Sequence, residues 1–527
     1  MRITNKIIQN NNLANINTNK IYQDTLSTQM STQKKINRPS DDPVVAIRAL
    51  RLRSNVTEVT QYYSKNIPDA ESWLNVTEDS LNNLTSVITN IISQCTKGSN
   101  GDLTTSDRDI ILEQLKALAD EVYSTADADY AGRYVFTGYR TDTSLRFDNN
   151  EKIETNIVEQ LSKDNIDRLT VINTKSAAGD DIKSMNKVNY GDVDVSAMDI
   201  NSADVYRIRL AYNNCDDEIP VLSYPVQVTG TDGEVSLDWQ QVPVEMMHEY
   251  DNNPSPAQRV QEASENGEEV AVYVPETGEL LLSDEAYNRL MSLEDDTKTS
   301  ALNEAEIRVT YQKTNWEKGD LRPQHYFACS ATDADGNVIE YNQGYLNGIV
   351  EKQVIEYDVG FNQTIRVNST ADECFKHGIG RTVDDLVLAM KEVADIQKIK
   401  EDLEKLKETA TGDDLATLES KLEVVGKAYD LLKDKAQRMF EAGITTMQGY
   451  LDEANLSITN CGTRSSKLEL IKSRMQTQKT TFETLKSENE DVDITEVAIQ
   501  LSSAKLTYEA ALMATGKVTQ TSLLNYI

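Results

Sequence analysis

The sequence predicts an α+β protein: an elongated α-helical coiled-coil rod drawn from both termini, with a β-rich middle domain inserted between its arms. Apolar residues advance by steps of three and four from Val56 to Ile91, again from Leu451 to Leu485, and once more from Val497 to Val518. A rhythm held that long marks a coiled-coil seam. Between the arms, short pieces alternate with period two, as half-buried strands do. A chain of 527 residues also has room for about three or four units.

Residues 1–40 form an N-terminal arm. Seven asparagines (Asn5, Asn10, Asn11, Asn12, Asn15, Asn17 and Asn19) weaken any helix there, yet Ile3 and Ile7, Leu13 and Ile16, Tyr22 and Leu26 recur as a stripe. Such a segment is expected to be disordered in the isolated subunit and to fold when a neighbour buries the stripe. Residues 41–140 form the N-terminal half of the rod. Arg38-Pro39-Ser40-Asp41-Asp42-Pro43 offers N-cap side chains and a proline at the tolerated first helical position. The helix it starts should run to about Lys97, with one irregularity, an extra step of four between Tyr63 and Ile67 that reads as a stutter. A further helix follows Thr105-Ser106, with Ile111, Leu115, Leu118 and Val122 on one face, and ends near Tyr130-Ala131-Gly132.

Residues 141–375 are expected to be a β-rich outer domain of one or two subdomains. Strand-like pieces are Val205–Leu210, Ala271–Val274, Ile307–Tyr311 and Thr364–Val367, with turns at Thr277-Gly278 and Asp335-Gly336-Asn337. Residues 376–445 read as an inserted charged helical hairpin, Leu386–Phe440, turning at Thr411-Gly412-Asp413-Asp414. Its wealth of Lys and Glu predicts a solvent-washed element. Residues 446–490 form the C-terminal half of the rod. After the acidic break Glu488–Asp491, residues 491–527 form a C-terminal assembly helix.

The balance of 86 acidic against 53 basic residues gives a net charge of -33. Such a field repels phosphate backbones and anionic lipid, so the sequence predicts no nucleic acid and no membrane among its partners. No apolar run approaches the ~20 residues of a membrane span. Arg2 is followed by an Asn-rich run, so no cleaved signal peptide is expected. Cys95, Cys215, Cys329, Cys374 and Cys461 lie far apart and read as isolated thiols. With only His248, His325 and His377, and no HExxH, phosphate loop or GxSxG elbow, the expectation is no enzyme, no catalytic residue, no metal and no cofactor. Asp333-Ala334-Asp335-Gly336-Asn337 with Glu340 has the wrong spacing for a calcium loop and reads as a hairpin turn.

The ends depart from this acidity. Residues 1–40 hold one acid, Asp24, and residues 510–527 hold none. Clearing carboxylates from both ends suits packing against copies of the same chain, where repeated like charges repel. The residues expected at an assembly interface are therefore Ile3, Ile7, Leu13, Ile16, Leu26, Arg38, Pro39, Ser40, Asp41, Asp42, Pro43, Leu501, Tyr508, Val518, Leu523, Leu524 and Ile527.

Ile36–Pro43 followed by Ala46-Ile47-Arg48-Ala49-Leu50 resembles the N-terminal arm of the bacterial flagellin superfamily. Pro-Ser-Asp-Asp-Pro is more similar to the hook–filament junction branch, hook-associated protein 3, than to filament flagellin. Ala131–Gly138 is similar to that branch's Gly-Arg-Tyr-Leu-Phe-Ser-Gly motif, and Ser522–Ile527 to its Ser-Leu-Leu-Asp-Tyr-Leu close. A weaker echo runs from Ile365-Arg366-Val367-Asn368 to Phe375. The resemblance implies a secreted structural protein of the bacterial flagellum. It would leave the cell unfolded by type III export and sit at the hook–filament junction, between the first hook-associated protein and flagellin. It further implies a ring of copies of the chain, terminal helices forming an inner coiled-coil layer, an outward middle domain, and an export chaperone for the C-terminal helix. The 386–440 hairpin and the enlarged middle have no counterpart in compact members. Two other readings stay open at this stage: filament flagellin or the first hook-associated protein, and an outer-domain adhesin or enzyme on a flagellar scaffold.

Overall fold

The structure, a computed structural model, describes residues 5–101, 103–174, 181–196, 198, 200–229, 235–251, 254–293, 306–332, 336–347 and 353–520; side chains at 5, 9, 227–229, 235, 236 and 518–520 lie outside the description. In chain order the helices are α1 Asn5–Thr32, α2 Pro43–Gln61, α3 Ile67–Gly98, α4 Thr105–Ala126, α5 Pro256–Asn266, α6 Asp284–Met291, α7 Ala371–Cys374, α8 Gly378–Lys407, α9 Asp413–Glu490 and α10 Ile494–Gln520. The strands are β1 Asp129–Tyr130, β2 Arg133–Tyr134, β3 Glu151–Leu161, β4 Ile166–Asn173, β5 Asn201–Arg209, β6 Val221–Thr229, β7 Val235–Val242 and β8 Val244–Met246. They continue with β9 Ala271–Val274, β10 Glu279–Leu282, β11 Ile307–Trp316, β12 Ala328–Thr332, β13 Val338–Tyr341, β14 Glu356–Gly360 and β15 Gln363–Arg366. Long helices at both ends around a β-rich middle make the chain α+β.

Two compact units divide it. The first holds Met1–Glu71, Tyr357–Ile365 and Ser465–Ile527; the second holds Ser72–Glu356 and Arg366–Arg464.

In the second unit, Leu74, Thr77, Leu81, Leu84, Ile88 and Ile91 on α3 are fully buried, which is the rhythm read from the sequence. α9 lies beside them there: the Cys461 thiol donates to the Leu74 carbonyl at 3.5 Å. A Cβ on Gly98 would come within 2.4 Å of the Phe440 ring, so only glycine lets α3 finish against α9. α4 begins with a capping box, in which the Thr104 hydroxyl accepts from the Asp107 N–H and the Asp107 carboxylate accepts from the Thr104 N–H.

The middle folds into two sheets. One has the order β4-β5-β10-β9-β8, antiparallel except for β8 beside β9; the other has the order β13-β12-β3-β11-β6-β7. β9 is buried at all four residues, as befits a strand flanked on both sides. The Thr277-Gly278 turn is present at the β9–β10 connection. Gly278 has φ +64, and a Cβ there would strike the Tyr212 carbonyl at 1.9 Å. β12 and β13 pair with Thr332 opposite Val338, and of the expected turn Asp335-Gly336-Asn337 the described part is Gly336, at φ +82, and Asn337. Asp333, Ala334 and Asp335 lie outside the described residues.

Alternation on β3 puts Thr155, Ile157, Glu159 and Leu161 inward. Glu159 is fully buried. Its Oε1 accepts from the Ala211 N–H at 2.7 Å and from the Tyr311 hydroxyl, while its Oε2 has no hydrogen-bond partner. Burial pushes its carboxyl up to about 7.

The charged hairpin differs from its sequence reading. It is not solvent-washed: Val393, Ile396, Ile399 and Leu403 of α8 pack with Leu418, Val425, Ala428 and Leu432 of α9. Ile182, Met185, Val193, Val195 and Ile200, from the stretch before β5, join the same core. Most Lys and Glu occupy the outer faces, but Lys421 is buried with its ammonium on the Val193 carbonyl, and Glu392 pairs with Lys183 and Lys435. The turn lies between α8 and α9 as expected, with Gly412 at φ +71.

The segment Ala131–Gly138 also has a physical role. Ala131 and Gly132, both at positive φ, make the two-residue turn between β1 and β2. Arg133 then lies over the Trp73 ring at 5.0 Å, and Phe136 meets Phe375 edge-on at 4.8 Å. All five cysteines are free thiols, and all lie in the second unit.

Candidate assembly surface

The first unit brings the two ends of the chain together. Val492 N–H donates to the Gln33 carbonyl at 3.1 Å, whereas Tyr22 reaches Gln500, so α1 and α10 run antiparallel. Leu26, 2% exposed, packs with Val497 and Ala504, and Leu501 lies against them. Farther along α1, Ile8, Asn12, Ile16, Asn19 and Gln23 continue the covered face at spacings of three and four. On α10, Tyr508, Ala511 and Thr515 do the same.

A charged clasp fastens this pair at its base. The Lys35 N–H donates to the Glu490 carbonyl at 2.7 Å. The Glu490 side chain, 3% exposed, accepts a bidentate pair from Arg53 on α2, Nε to Oε1 at 2.6 Å and an Nη to Oε2 at 2.8 Å. Lys34 Nζ stands 3.5 Å from Glu490 and bonds Asp491 directly. Hydrogen bonds from Arg53 hold the Glu490 carboxyl below its usual range, and those from Lys34 do the same for Asp491. The acidic break in the sequence is thus the socket for bases of the N-terminal arm.

The capping segment is built as expected. Asp42 Oδ1 accepts from the Val44 and Val45 N–H groups, with Pro43 at the first helical position. Asp41 Oδ2 accepts from the Asn37 and Arg38 N–H groups and knits the loop. Arg38, Pro39, Ser40, Asp41 and Pro43 remain exposed.

At Tyr62–Asn66 the helix between α2 and α3 makes one π turn, closed by the Ile67 N–H donating to the Tyr62 carbonyl. This is where the sequence showed its extra step. Pro68, just beyond, lacks the N–H that would close the ordinary turn on residue 64. The β14–β15 hairpin sits on this turn: Asn66 Nδ2 donates to the Asp358 carbonyl at 2.8 Å, and Phe361 meets Tyr62 and Phe482 edge-on.

The expected interface residues therefore divide. Ile16, Leu26, Leu501 and Tyr508 are covered, at least in part, within the chain itself. Ile7 and Leu13 are exposed. Ile3, Leu523, Leu524 and Ile527 lie outside the described residues, as does the Val518 side chain. A second apolar row on α10, absent from the residues expected at the interface, is exposed. Ile499, Leu506 and Met513, spaced by seven on α10, are 67%, 68% and 66% exposed. Val44, Ile47 and Leu50 on α2 and Ile21 on α1 are exposed too. The sevenfold spacing is the sequence signal that would have found the α10 row. Burying side chains of this kind contributes roughly 1.5–3 kcal/mol each, so the row can drive association but no chemistry. Among the described residues no group of His, Cys, Asp and Glu could hold a metal ion, and no helix is long and apolar enough to cross a membrane.

Comparison with known proteins shows what the N-terminal part of this surface is similar to. Residues 3–141 match the bacterial flagellin N-terminal helical region. More particularly, the chain is similar to flagellar hook-associated protein 3 of Salmonella typhimurium, 29% identical over 145 residues, which is 27% of this chain and 45% of that protein. The same protein of Escherichia coli is 30% identical over an equal span. A flagellin of Clostridium tyrobutyricum is 28% identical over 122 residues, 23% of this chain and 32% of that one. The chain thus spans just under half the length of the hook-associated relatives. A solved structure of flagellar hook associated protein-3 from Legionella pneumophila aligns over 83% of this chain and 98% of its own at 10% identity, with a TM-score of 0.28. The sequence matches to the flagellin N-terminal region and to hook-associated protein 3 bear out the resemblance read from the motifs.

Proposed function

We propose that this chain is a structural adaptor of the bacterial flagellum, joining the first hook-associated protein on the hook side to the flagellin filament. The observation that carries the reading is the two-faced α10. One face is satisfied by α1, and the other offers Ile499, Leu506 and Met513 to a neighbour. Lys505, Glu509 and Lys517 are the only charged residues after Glu496 on this helix, so few like charges oppose its packing beside copies of itself. In this reading copies form a ring, the terminal helices line its inside, and residues 141–375 face outward. The α1–α10 pair of each chain takes its final place against neighbouring copies on assembly, after unfolded type III export and with a chaperone on the C-terminal helix. The role is non-enzymatic and extracellular.

Deleting the gene in its source bacterium and imaging the cells by electron microscopy tests this. The expected picture is intact hooks without filaments, and flagellin shed into the medium. Filaments still attached to hooks would refute the junction role. Loss of filaments with no shed flagellin would mean that the chain is itself the filament subunit.

A further inference from the structure

The six-stranded sheet of the second unit carries a cavity of about 370 Å³ at its β13 end. Register fixes its floor. Ala331 lies opposite both Thr155 and Ile339, and Cys329 lies opposite Tyr341, so these side chains share one face. Ile153 continues that face along β3, and Phe147 and Pro323 wall it. The volume is that of a small-molecule site.

Its charge is unlike that of the rest of the chain. Although the protein has 86 acidic residues, none of the described residues lining this cavity is acidic. The charged groups there are Arg322, whose guanidinium lies over the Phe147 ring at 4.2 Å, and Lys152 at the exposed rim. Arg140, which is not itself in the lining, lies over the Tyr341 ring at 4.2 Å, and its buried Nη1 has no hydrogen-bond partner among the described residues. Arg322 is held only loosely: its Nε donates to the Arg146 carbonyl at 3.2 Å, and the Glu151 carboxylate stands 3.9 Å away. A neutral sugar would want planar amides and carboxylates to grip its hydroxyls, and the lining supplies only Gln324 of that kind.

We propose that this cavity binds a small amphipathic anion, a carboxylate on an alkyl or aromatic body, with the body on the Ile153–Ala331–Ile339 floor and the carboxylate at Arg322. Binding would be free in solution and independent of the assembly role of the termini. No bond is made or broken.

Isothermal titration of the full chain with octanoate, set against octanol, tests it. Octanoate should bind at least tenfold more tightly than octanol, since a hydrogen bond to a charged carboxylate is stronger than one to a neutral hydroxyl. Arg322→Gln should cut octanoate affinity about tenfold and leave octanol unchanged. Ala331→Phe should fill the floor and abolish both. Ile339 is 44% exposed on an edge strand, so Ile339→Glu should fold normally and repel octanoate alone. Absence of octanoate binding, equal affinity for octanol, or indifference to both Ala331→Phe and Ile339→Glu would each overturn the proposal.

Discussion

Replacing Arg53 by methionine would remove both hydrogen bonds to Glu490 while keeping most of the packing of the arginine stem. Each charge-assisted bond contributes about 1.5–3 kcal/mol, and stripping one partner from a buried pair costs about 3–5 kcal/mol. The Arg53 side chain is 54% exposed, so water enters where it leaves, and Lys34 still faces the carboxylate. Those two facts bring the expected cost down to about 1–2 kcal/mol. Hydrogen exchange reads this locally, which matters because a chain of two units has no single unfolding free energy. The Lys35 and Val492 amides, bonded to the Glu490 and Gln33 carbonyls, should exchange about 5–30 times faster in Arg53→Met, while amides of β9 and β11 keep their rates. Acid should mimic the substitution. A carboxyl held below its usual range stabilises the clasp above its unfolded value of about 4.3 and loses that contribution as pH falls through the folded value. Wild-type protection at Lys35 and Val492 should therefore fall on acidification below about pH 4, and Arg53→Met should flatten that fall. Unchanged exchange at both amides in the variant would refute the clasp as a determinant of the α1–α10 pair.

Two further outcomes are expected. Ile499→Glu, Leu506→Glu and Met513→Glu together should leave the helical circular dichroism of the subunit intact, because all three side chains are exposed, yet prevent its incorporation into flagella; incorporation at the wild-type level would count against the second face of α10. Glu159 has a raised folded value, about 7, so its buried carboxyl costs stability as pH rises from about 4.5 and costs most above 7. Glu159→Gln should remove that pH dependence, so that its melting temperature exceeds that of the wild type by more at pH 8 than at pH 5. A melting difference between those pH values as large as in the wild type would show that another group titrates.

Much of the helical arms was legible because period and burial coincide. Leu74, Leu81, Leu84, Ile88 and Ile91 were picked by spacing alone, and all are buried. The irregular step at Tyr63–Ile67 was legible as a slip, but its form, a π turn, needed the proline at 68 and the hairpin that settles on Asn66. Period says which face of a helix is apolar and not what covers it. For that reason Leu26, Leu501 and Tyr508 were assigned to neighbouring copies although α1 and α10 cover them within the chain. The hairpin misled through composition. Its Lys and Glu outnumber the eight or so positions that matter, and the segment that seals them, Ile182–Ile200, lies some two hundred residues earlier in sequence. The cavity on the six-stranded sheet left no local trace, since its floor is assembled by register between β3, β12 and β13.

The sulfur atoms carry a practical corollary. Burial pushes the thiols of Cys95, Cys215, Cys329 and Cys374 up to about 12 and that of Cys461 up to about 11. At neutral pH the reactive thiolate is then only about one part in ten thousand or less, so an oxidant or alkylating dye finds almost nothing to attack. Because every native sulfhydryl sits in the second unit, a cysteine introduced at Ile499 would be the sole quick-labelling position on the molecule. The native five would report, by their sudden reactivity, any moment at which that unit comes apart.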